Sequence, residues 1–276
     1  MQLGFVDDNL DNFHANTYLD ALRGPLRDRG WSLAGVTALA SGEGADWARK
    51  KDVPYFDSVD ELASKVDAFA VLAPSTPHTH LGLCHQVLPH GKPTFVDKVF
   101  APNTQIAEQI LELADKFGAA IQTTSALRTT NVQRAVRQLE SPLISLSQWA
   151  GGASLEEYGI HPIELAISCM GPEVVRVGVV GAEDHPTVVL EFSAGRVATI
   201  DFNAKEHVPF LASLTTSKET LSLSVEDATL FVDAMAFILD FFEAGQPLVP
   251  REETLTIMRV LDAVQDSRAR TNWVTL

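Results

Sequence analysis

Titratable side chains follow two predicted buried strands at the point where each strand ends. His78 and His80 lie in the proline-broken loop PSTPHTH, and Asp97 and Lys98 directly follow the short apolar run TFV. Ligands of an open α/β sheet bind at the carboxyl ends of its strands, so we expect these groups to converge at one edge. Side chains of these types can transfer protons, and His-x-His beside an acid is also a weak pattern for a metal site. The sequence therefore predicts a functional site at this edge.

The elements expected to position these residues alternate between apolar strands and amphipathic helices. The predicted strands are Gln2–Asp7, 33–39, 68–73, Thr94–Val96 and 119–123. Between them, Thr104–Phe117 places its apolar residues on one helical face, and Gly118 follows at the expected C-cap. Alternation of this kind predicts right-handed crossovers and a parallel sheet covered on both faces. We predict a doubly wound, Rossmann-like α/β domain over residues 1–124.

A different pattern follows residue 124 and predicts an α+β domain over residues 125–276, with a mostly antiparallel sheet. Strands are predicted over 143–150, 174–180, 187–192, 196–202 and 210–214, with a hairpin turn at 193–196. Helices are predicted over 132–139, Ile160–Met170, Leu230–Ala244 and 254–267. Gly245 and Pro250 separate the last two helices, as expected of a helix stop and a helix start.

Composition limits the classes of function. The 276 residues are 46% hydrophobic and 21% charged, which is typical of a globular protein and excludes a disordered chain. The net charge of −15 would repel a nucleic-acid backbone. The two cysteines lie far apart, and the chain opens without the pattern of a signal peptide, so we expect a cytoplasmic protein. No apolar run approaches the length of a membrane span. A small-molecule substrate, rather than a nucleic acid or a membrane, is the expected partner.

The chain resembles the Gfo/Idh/MocA oxidoreductase family, which is named for glucose–fructose oxidoreductase and inositol dehydrogenase. The segment DAFAVLAPSTPHTHLGL resembles the family's Pro…His loop, and HGKPTFVDKVFAPN resembles its Glu-Lys-Pro segment. Downstream, EYGIHPIELAISCMG is similar to the family's Asp-x-Gly-x-His-x-x-Asp helix start, and LVPREETLTIMRVLDAVQDS to its closing helix. The motifs span nearly the whole chain in the family's order.

The resemblance implies roles for three residues. Lys98 matches the family's catalytic lysine, Glu157 its aspartate and His161 its histidine. Removal of a hydride from a carbinol requires a base for the hydroxyl proton and a cation near the developing oxyanion, and a lysine or a histidine can serve as either. Glu157 and His161 are four residues apart, so both can lie on one face at a helix start. A structural role for the last two, as a helix-terminal acid and a packing histidine, is the alternative.

The first turn departs from the family's pattern. The family has Gly-x-Gly-x-x-Gly there, because the backbone must approach a pyrophosphate at a helix N-terminus. This chain instead has Asp7, Asp8 and Asp11, with Asn9 and Asn12 between them. Carboxylates at this position are good helix caps. Each one that faces a phosphate would cost about 1 kcal/mol in solvent, or about 4 kcal/mol at an effective dielectric of 20. Either the side chains turn away or the usual mode of pyrophosphate binding is lost.

A nicotinamide dinucleotide, NAD or NADP, is the cofactor that the resemblance implies. Ser41 stands where the family often has an acid for the adenosine ribose, and Arg49 is the nearest cation for a 2′-phosphate. Asp97 and Val99 replace the family's Glu and Pro around Lys98, and Glu164 replaces an Asp. The residues expected to contact the cofactor are Asp7, Asp8, Ser41, Pro74, Ser75, His80 and Asp97.

Three functions remain open at this point. The first is an NAD(P)-dependent oxidoreductase that acts on a small polyol, sugar or cyclitol-like substrate, with Lys98 and His161 as acid and base, and with a homo-oligomeric assembly. Arg128 would then contact an anionic group of the substrate, or would instead form a structural ion pair. The second is a family member that has lost dinucleotide chemistry and acts as a binding or regulatory protein. The third is a metal-dependent enzyme that uses His78, His80, Asp97 and His161.

Overall fold

The computed structural model describes all 276 residues and divides them into two units. The first unit contains Met1–Thr124 and Phe231–Pro250. The second contains Ser125–Leu230 and Arg251–Leu276. None of the helices combines the length and the apolar character that a membrane span requires.

The first unit is built on a five-stranded parallel sheet, which confirms the predicted Rossmann-like α/β fold. The strand order is β2-β1-β3-β4-β5. Every residue of the first strand after Gln2 is buried, because helices cover both faces of the sheet. The strands are β1 (Gln2–Asp7), β2 (Ser32–Ala38), β3 (Ala68–Val71), β4 (Thr94–Val96) and β5 (Ile121–Gln122).

Five helices follow these strands: α1 (Phe13–Arg23), α2 (Ser41–Lys51), α3 (Val59–Ala63), α4 (His80–Val87) and α5 (Thr104–Phe117). The α5 helix has the predicted bounds because both of its ends are capped. The side chain of Asn103 accepts the Ile106 N–H at 3.0 Å, and Gly118 ends the helix with a φ of 63°.

The second unit is built on a seven-stranded sheet with the order β11-β10-β6-β9-β8-β7-β12. Only the β6–β9 pair is parallel, so the prediction of a mostly antiparallel sheet is confirmed. The prediction omitted β11, a run of five residues with only two apolar side chains, and β12, which has two residues. The strands are β6 (Ser145–Gly151), β7 (Val174–Ala182), β8 (His185–Phe192), β9 (Val197–Asn203), β10 (Leu211–Thr215), β11 (Thr220–Ser224) and β12 (Val274–Thr275).

The remaining helices are α6 (Asn131–Val136), α7 (Leu155–Tyr158), α8 (Ile160–Met170), α9 (Leu230–Ala244) and α10 (Arg251–Gln265). Helix α8 is the central helix of the second unit, and most of its residues are buried. It is tied to the sheet by the buried Gln148 of β6, whose amide donates to the Pro162 carbonyl at 3.0 Å. This attachment fixes the start of α8, where His161 lies.

Helix α9 packs on the first unit although it follows the second sheet in the sequence. Its buried face, with Met235, Ile238 and Leu239, joins the same apolar core as Leu19 and Leu22 of α1. Two polar contacts accompany this packing. Trp31 donates from its indole N–H to Glu243 at 3.1 Å, and Arg29 contacts Asp240 and Glu243 at 2.8 and 2.7 Å.

Candidate functional site

The carboxylate of Asp7 joins the ends of β1 and β3, the two central strands at which the order of the sheet reverses. Its Oδ1 accepts three backbone N–H groups, from Asp8 at 2.8 Å, Asn9 at 3.2 Å and Ala73 at 3.0 Å. Ala73 has a φ of 44°, a conformation that non-glycine residues rarely adopt. Asp7 itself is fully buried. A ligand of an open α/β sheet binds at this reversal point, and here a side chain of the chain itself bridges it.

The rest of the first turn is held by side chains of its own. Asn12 is the N-cap of α1, with its Oδ1 accepting the Ala15 N–H at 2.9 Å and its Nδ2 donating to Asp7 at 2.9 Å. The alternative that the aspartates cap this helix is therefore wrong, because the amide of Asn12 takes that position. Asp8 accepts the Thr76 hydroxyl at 2.7 Å, and Asp11 is exposed.

The two neighbouring aspartates have shifted pKa values of opposite direction. The pKa of Asp7 is raised to about 8, chiefly by burial and also by the hydrogen bond with Asp8, against the lowering effect of the Asn12 and Asn9 donors. Burial also acts to raise the pKa of Asp8, but hydrogen bonds from Asp7, Thr76 and Asn9 bring it below its usual range. This environment therefore favours the protonated form of Asp7 and the ionised form of Asp8.

This shift predicts a pH dependence of stability that Asp7→Asn should remove. The unfolded aspartate titrates near 3.8, and the folded one near 8. The folded state holds the proton more tightly, so this stability is fully present below about pH 4 and is lost as the pH rises towards 8. We expect the free energy of unfolding of the variant, relative to wild type, to rise by about 1 kcal/mol per pH unit across this window. Urea denaturation at several pH values measures it.

Asp28→Asn is the matched control for this comparison, because Asp28 is exposed and lies beyond the opposite end of α1. Its pH profile should run parallel to that of the wild type. Parallel profiles for wild type and Asp7→Asn would contradict the assignment of the raised pKa to Asp7.

The first turn does not fit a pyrophosphate in the manner of a glycine-rich turn. That manner requires backbone N–H groups directed at the ligand. Here the N–H groups of Asp8 and Asn9 already donate to Asp7, and the N–H of Asp11 donates to the Asn9 side chain at 3.0 Å. Asp8 and Asp11 add negative charge beside them. A dinucleotide at this edge must make its phosphate contacts with other groups.

The end of β2, where the adenosine ribose is expected, has an acidic group that the sequence analysis did not select. Ser41 begins α2 and is exposed. Glu43, two residues later, accepts the side-chain N–H of Asn9 at 3.0 Å and thus joins α2 to the first turn. Arg49 lies six residues beyond Glu43, about 9 Å further along the helix at 1.5 Å per residue, and contacts Asp46 at 2.7 Å. Glu43 is therefore closer than Arg49 to the predicted ribose position.

The loop after β3 contains both exposed and buried predicted residues. Ser75 and His78 are exposed, and Pro74 is half-buried. His80 is fully buried, and its ring nitrogens lie 3.0 Å from the Phe100 carbonyl and 2.9 Å from the Leu72 carbonyl. His80 thus ties the start of α4 to the backbone after β3 and to the backbone after β4, which is a scaffolding contact.

Asp97 and Lys98 follow β4, and Asp97 contacts His14 of α1. One carboxylate oxygen of Asp97 lies 2.5 Å from Nδ1 of His14, and the other accepts the N–H of Lys98 at 2.8 Å. Asp97 is fully buried, and Lys98 is 8% exposed. The Lys98 ammonium lies 3.5 Å from the Pro74 carbonyl. Asp97 therefore positions the backbone of Lys98 at the carboxyl edge of the sheet.

In the second unit, His161 pairs with a residue that the sequence analysis did not select. Its Nδ1 lies 2.7 Å from the hydroxyl of Ser125. The predicted partner, Glu157, is exposed on α7, and its N–H donates to the Ser154 hydroxyl at 3.1 Å. The Tyr158 ring lies 6.0 Å from that of His161 and 4.8 Å from that of His207. Ser125 lies two residues after the last predicted parallel strand, and this position near a strand end was the signal available for it.

Arg128 lies in a buried ion-pair network of the second unit. Its Nε donates to Glu164 at 2.6 Å and its Nη1 to Glu253 at 2.7 Å. Its side chain is 10% exposed, and its Nη2 is buried without a hydrogen-bond partner. Glu164 also accepts the Ser125 N–H at 2.8 Å. The network thus supports the segment that holds His161.

The structure therefore gathers the predicted site residues into two groups. Asp7, Asp8, Asp97 and Lys98 lie at the carboxyl edge of the first sheet, whereas Glu157 and His161 belong to the second unit. That Lys98 and His161 share one cleft stays a prediction. No group of three or more His, Cys, Asp or Glu side chains is arranged to hold a metal ion.

Comparison with known proteins gives one family. The model of an oxidoreductase family with an NAD-binding Rossmann fold, Gfo/Idh/MocA, matches residues 12–125. An uncharacterized oxidoreductase from Rhizobium meliloti, ORF334, is 22% identical over 305 residues, with 87% of this chain and 91% of that protein covered.

Solved structures have the same fold. A probable dehydrogenase from Thermotoga maritima superimposes with a TM-score of 0.84 and 15% identity, covering 100% of this chain and 98% of that one. A putative myo-inositol dehydrogenase from Sinorhizobium meliloti 1021 superimposes with a TM-score of 0.83 and 15% identity, covering 100% of this chain and 99% of that one. GenD2 from gentamicin A biosynthesis, solved in complex with NAD, superimposes with a TM-score of 0.83 and 15% identity, covering 100% of this chain and 96% of that one.

Proposed function

Because the chain belongs to the Gfo/Idh/MocA oxidoreductase family, whose Rossmann fold is NAD-binding, we propose that it transfers a hydride between a nicotinamide cofactor and a small polyol, sugar or cyclitol-like substrate. The observation that carries this proposal is the placement of Lys98. It is nearly buried at the carboxyl end of β4, on a backbone held by Asp97 and His14. The likeness to a putative myo-inositol dehydrogenase supports the substrate class.

We assign two roles to side chains of this protein: stabilising the negative charge on the substrate oxygen and accepting its proton. Oxidation of a carbinol releases the hydroxyl proton and leaves negative charge on the oxygen in the transition state. A lysine ammonium beside that oxygen stabilises the charge, and a histidine ring can take the proton. Lys98 and His161 are the residues we propose for these two roles. The orienting role of Glu157 and a homo-oligomeric assembly stay predictions.

Direct binding of NADH and NADPH, measured by calorimetry, is the first test. Turnover of myo-inositol and a panel of simple sugars and polyols, followed by the absorbance of the reduced cofactor, is the second. Binding of either dinucleotide together with turnover of one panel member is the expected result. If neither dinucleotide binds to the wild type or to the variants of the first turn, the oxidoreductase proposal is wrong for this chain.

Neutralising the first turn should strengthen dinucleotide binding. Asp8→Asn and Asp11→Asn each remove one negative charge beside the expected pyrophosphate position, where salt screens like charges only partly. We expect Kd for NADH to fall about fivefold per variant, which corresponds to about 1 kcal/mol. Calorimetry on the same samples, with melting temperatures, separates a change in affinity from a change in stability.

The control for these variants is again Asp28→Asn, which removes the same charge from an exposed position in the same unit. Its Kd should equal that of the wild type. Tight binding by the wild type, with no gain in either variant, would show that the carboxylates do not face the cofactor.

A second function is favoured by one observation, the use of first-turn N–H groups by Asp7. A family member whose first-turn N–H groups are already bonded to its own aspartate can serve as a binding or regulatory protein without dinucleotide chemistry. Under this alternative, a sugar or cyclitol would bind to the wild type with unchanged affinity in the presence and absence of NADH. Calorimetric titration of the same panel without cofactor distinguishes the two functions.

A further inference from the structure

The hydroxyl of Ser125 lies 2.7 Å from Nδ1 of His161. It is fully buried, whereas His161 is half-buried near the start of α8. The histidine ring thus has one nitrogen turned to a fixed internal partner. Which nitrogen carries the proton in the neutral ring is decided by the hydrogen bond that the other one makes.

The hydroxyl of Ser125 is held in place by its own backbone surroundings. Its N–H donates to Glu164 at 2.8 Å, and its hydroxyl oxygen accepts the Leu127 N–H at 3.2 Å, which begins the 3₁₀ turn over Ala126–Thr129. A serine hydroxyl has two acceptor lone pairs and one proton. One lone pair accepts the Leu127 N–H, and Nδ1 of His161 lies 2.7 Å from the same oxygen, within reach of the second.

We propose that Ser125 is a positioning residue that accepts the N–H of His161 Nδ1 and so keeps Nε2 as the basic nitrogen. This inference rests on the proposed function, in which the imidazole takes the hydroxyl proton of the substrate. The proton moves from the substrate oxygen to Nε2, and the ring becomes an imidazolium. The Nδ1–H···Oγ bond then becomes charge-assisted and shorter, which stabilises the protonated ring.

The two carboxylates nearest to His161 in the sequence have contacts or positions of their own. Glu164 is occupied by Arg128 and by the Ser125 N–H, and the Glu157 side chain is exposed. A serine in place of a carboxylate orients the ring without adding a negative charge next to it.

The test is the tautomer of His161, read from long-range nitrogen–proton NMR spectra of the full chain. His161→Asn assigns the signal among the eight histidines. We expect the wild type to carry the proton on Nδ1, and Ser125→Ala to shift the ring towards the Nε2–H form. Ser125→Thr keeps the hydroxyl and should keep the wild-type tautomer. Ser168→Ala, which removes another hydroxyl hydrogen bond of α8, is the matched control and should change nothing.

Kinetics provide the second measurement. Ser125→Ala should lower kcat about tenfold with little change in KM, and should move the acidic limb of the pH profile to lower pH. Ser125→Thr should restore both. A wild-type ring with its proton on Nε2, or a tautomer unchanged in Ser125→Ala, overturns the inference even if the enzyme turns over substrate. The expected NMR result in a chain without any turnover would support the role of Ser125 and contradict the proposed function alone.

Discussion

Lys98→Ala is expected to lower kcat by at least about 100-fold, the smaller end of the effect of a proton-transfer group. The variant removes the ammonium of Lys98, a residue at the end of β4. The backbone N–H of Lys98, which donates to Asp97, is kept. Asp97 and His14 remain in place, so the fold of the edge should be kept. Steady-state turnover of the best substrate from the polyol panel measures the effect, and an unchanged melting temperature shows that the loss is chemical.

Two further lysine variants sharpen this prediction. Lys98→Arg keeps the positive charge but cannot release a proton, so partial activity in this variant would indicate that charge stabilisation is the main role of Lys98. Lys116→Ala removes an exposed lysine of α5 in the same unit and should leave kcat unchanged. A kcat of wild-type size in Lys98→Ala would remove this residue from the mechanism.

Arg128→Leu is expected to lower the free energy of unfolding by about 3–5 kcal/mol. The substitution leaves Glu164, whose side chain is 3% exposed, and Glu253, at 17%, without their cation. Buried carboxylates that lose their partner retain the full cost of leaving water. Urea denaturation of the wild type and the variant measures the difference.

The exposed Arg134–Glu226 pair of the same unit is the matched control. Arg134→Leu should change the free energy of unfolding by no more than about 1 kcal/mol, because a solvated pair contributes little. Replacing Arg128, Glu164 and Glu253 together by apolar residues should recover most of the lost stability. A loss below about 1 kcal/mol in Arg128→Leu would instead indicate that the network contributes little and that Arg128 is available to a substrate anion.

The fold of the first unit could be predicted because the patterns that indicate its strands and helices lie within short stretches of the sequence. Strands that are apolar on both faces alternate with amphipathic helices, and only a parallel sheet covered on both sides buries that pattern. The bounds of α5 and α8 were predicted correctly because apolar periodicity, with Gly118 closing α5, marks helices well. The assignment of α9 to the first unit could not be predicted, since any apolar core could bury its face. Its packing against Leu19, Leu22 and Trp31 is a tertiary outcome.

By itself, the sequence indicated the class of fold, the resemblance to the Gfo/Idh/MocA family and the edge of the sheet where the chemistry is expected. These conclusions follow from periodicity and from motifs that lie within short stretches of chain. It also placed Lys98 at a strand end, because the residue after a buried strand must reach that edge.

Only the tertiary structure decided which groups face one another. Asp7 and Ala73 are 66 residues apart, and Ser125 and His161 are 36 apart. A hydrogen bond between such residues depends on ångström-scale placement that hydrophobic patterning does not encode. The sequence therefore showed that the first turn is acidic, but not that the Asp7 side chain accepts the backbone N–H groups of this turn and of Ala73. It likewise selected His161, but not the serine that orients its ring.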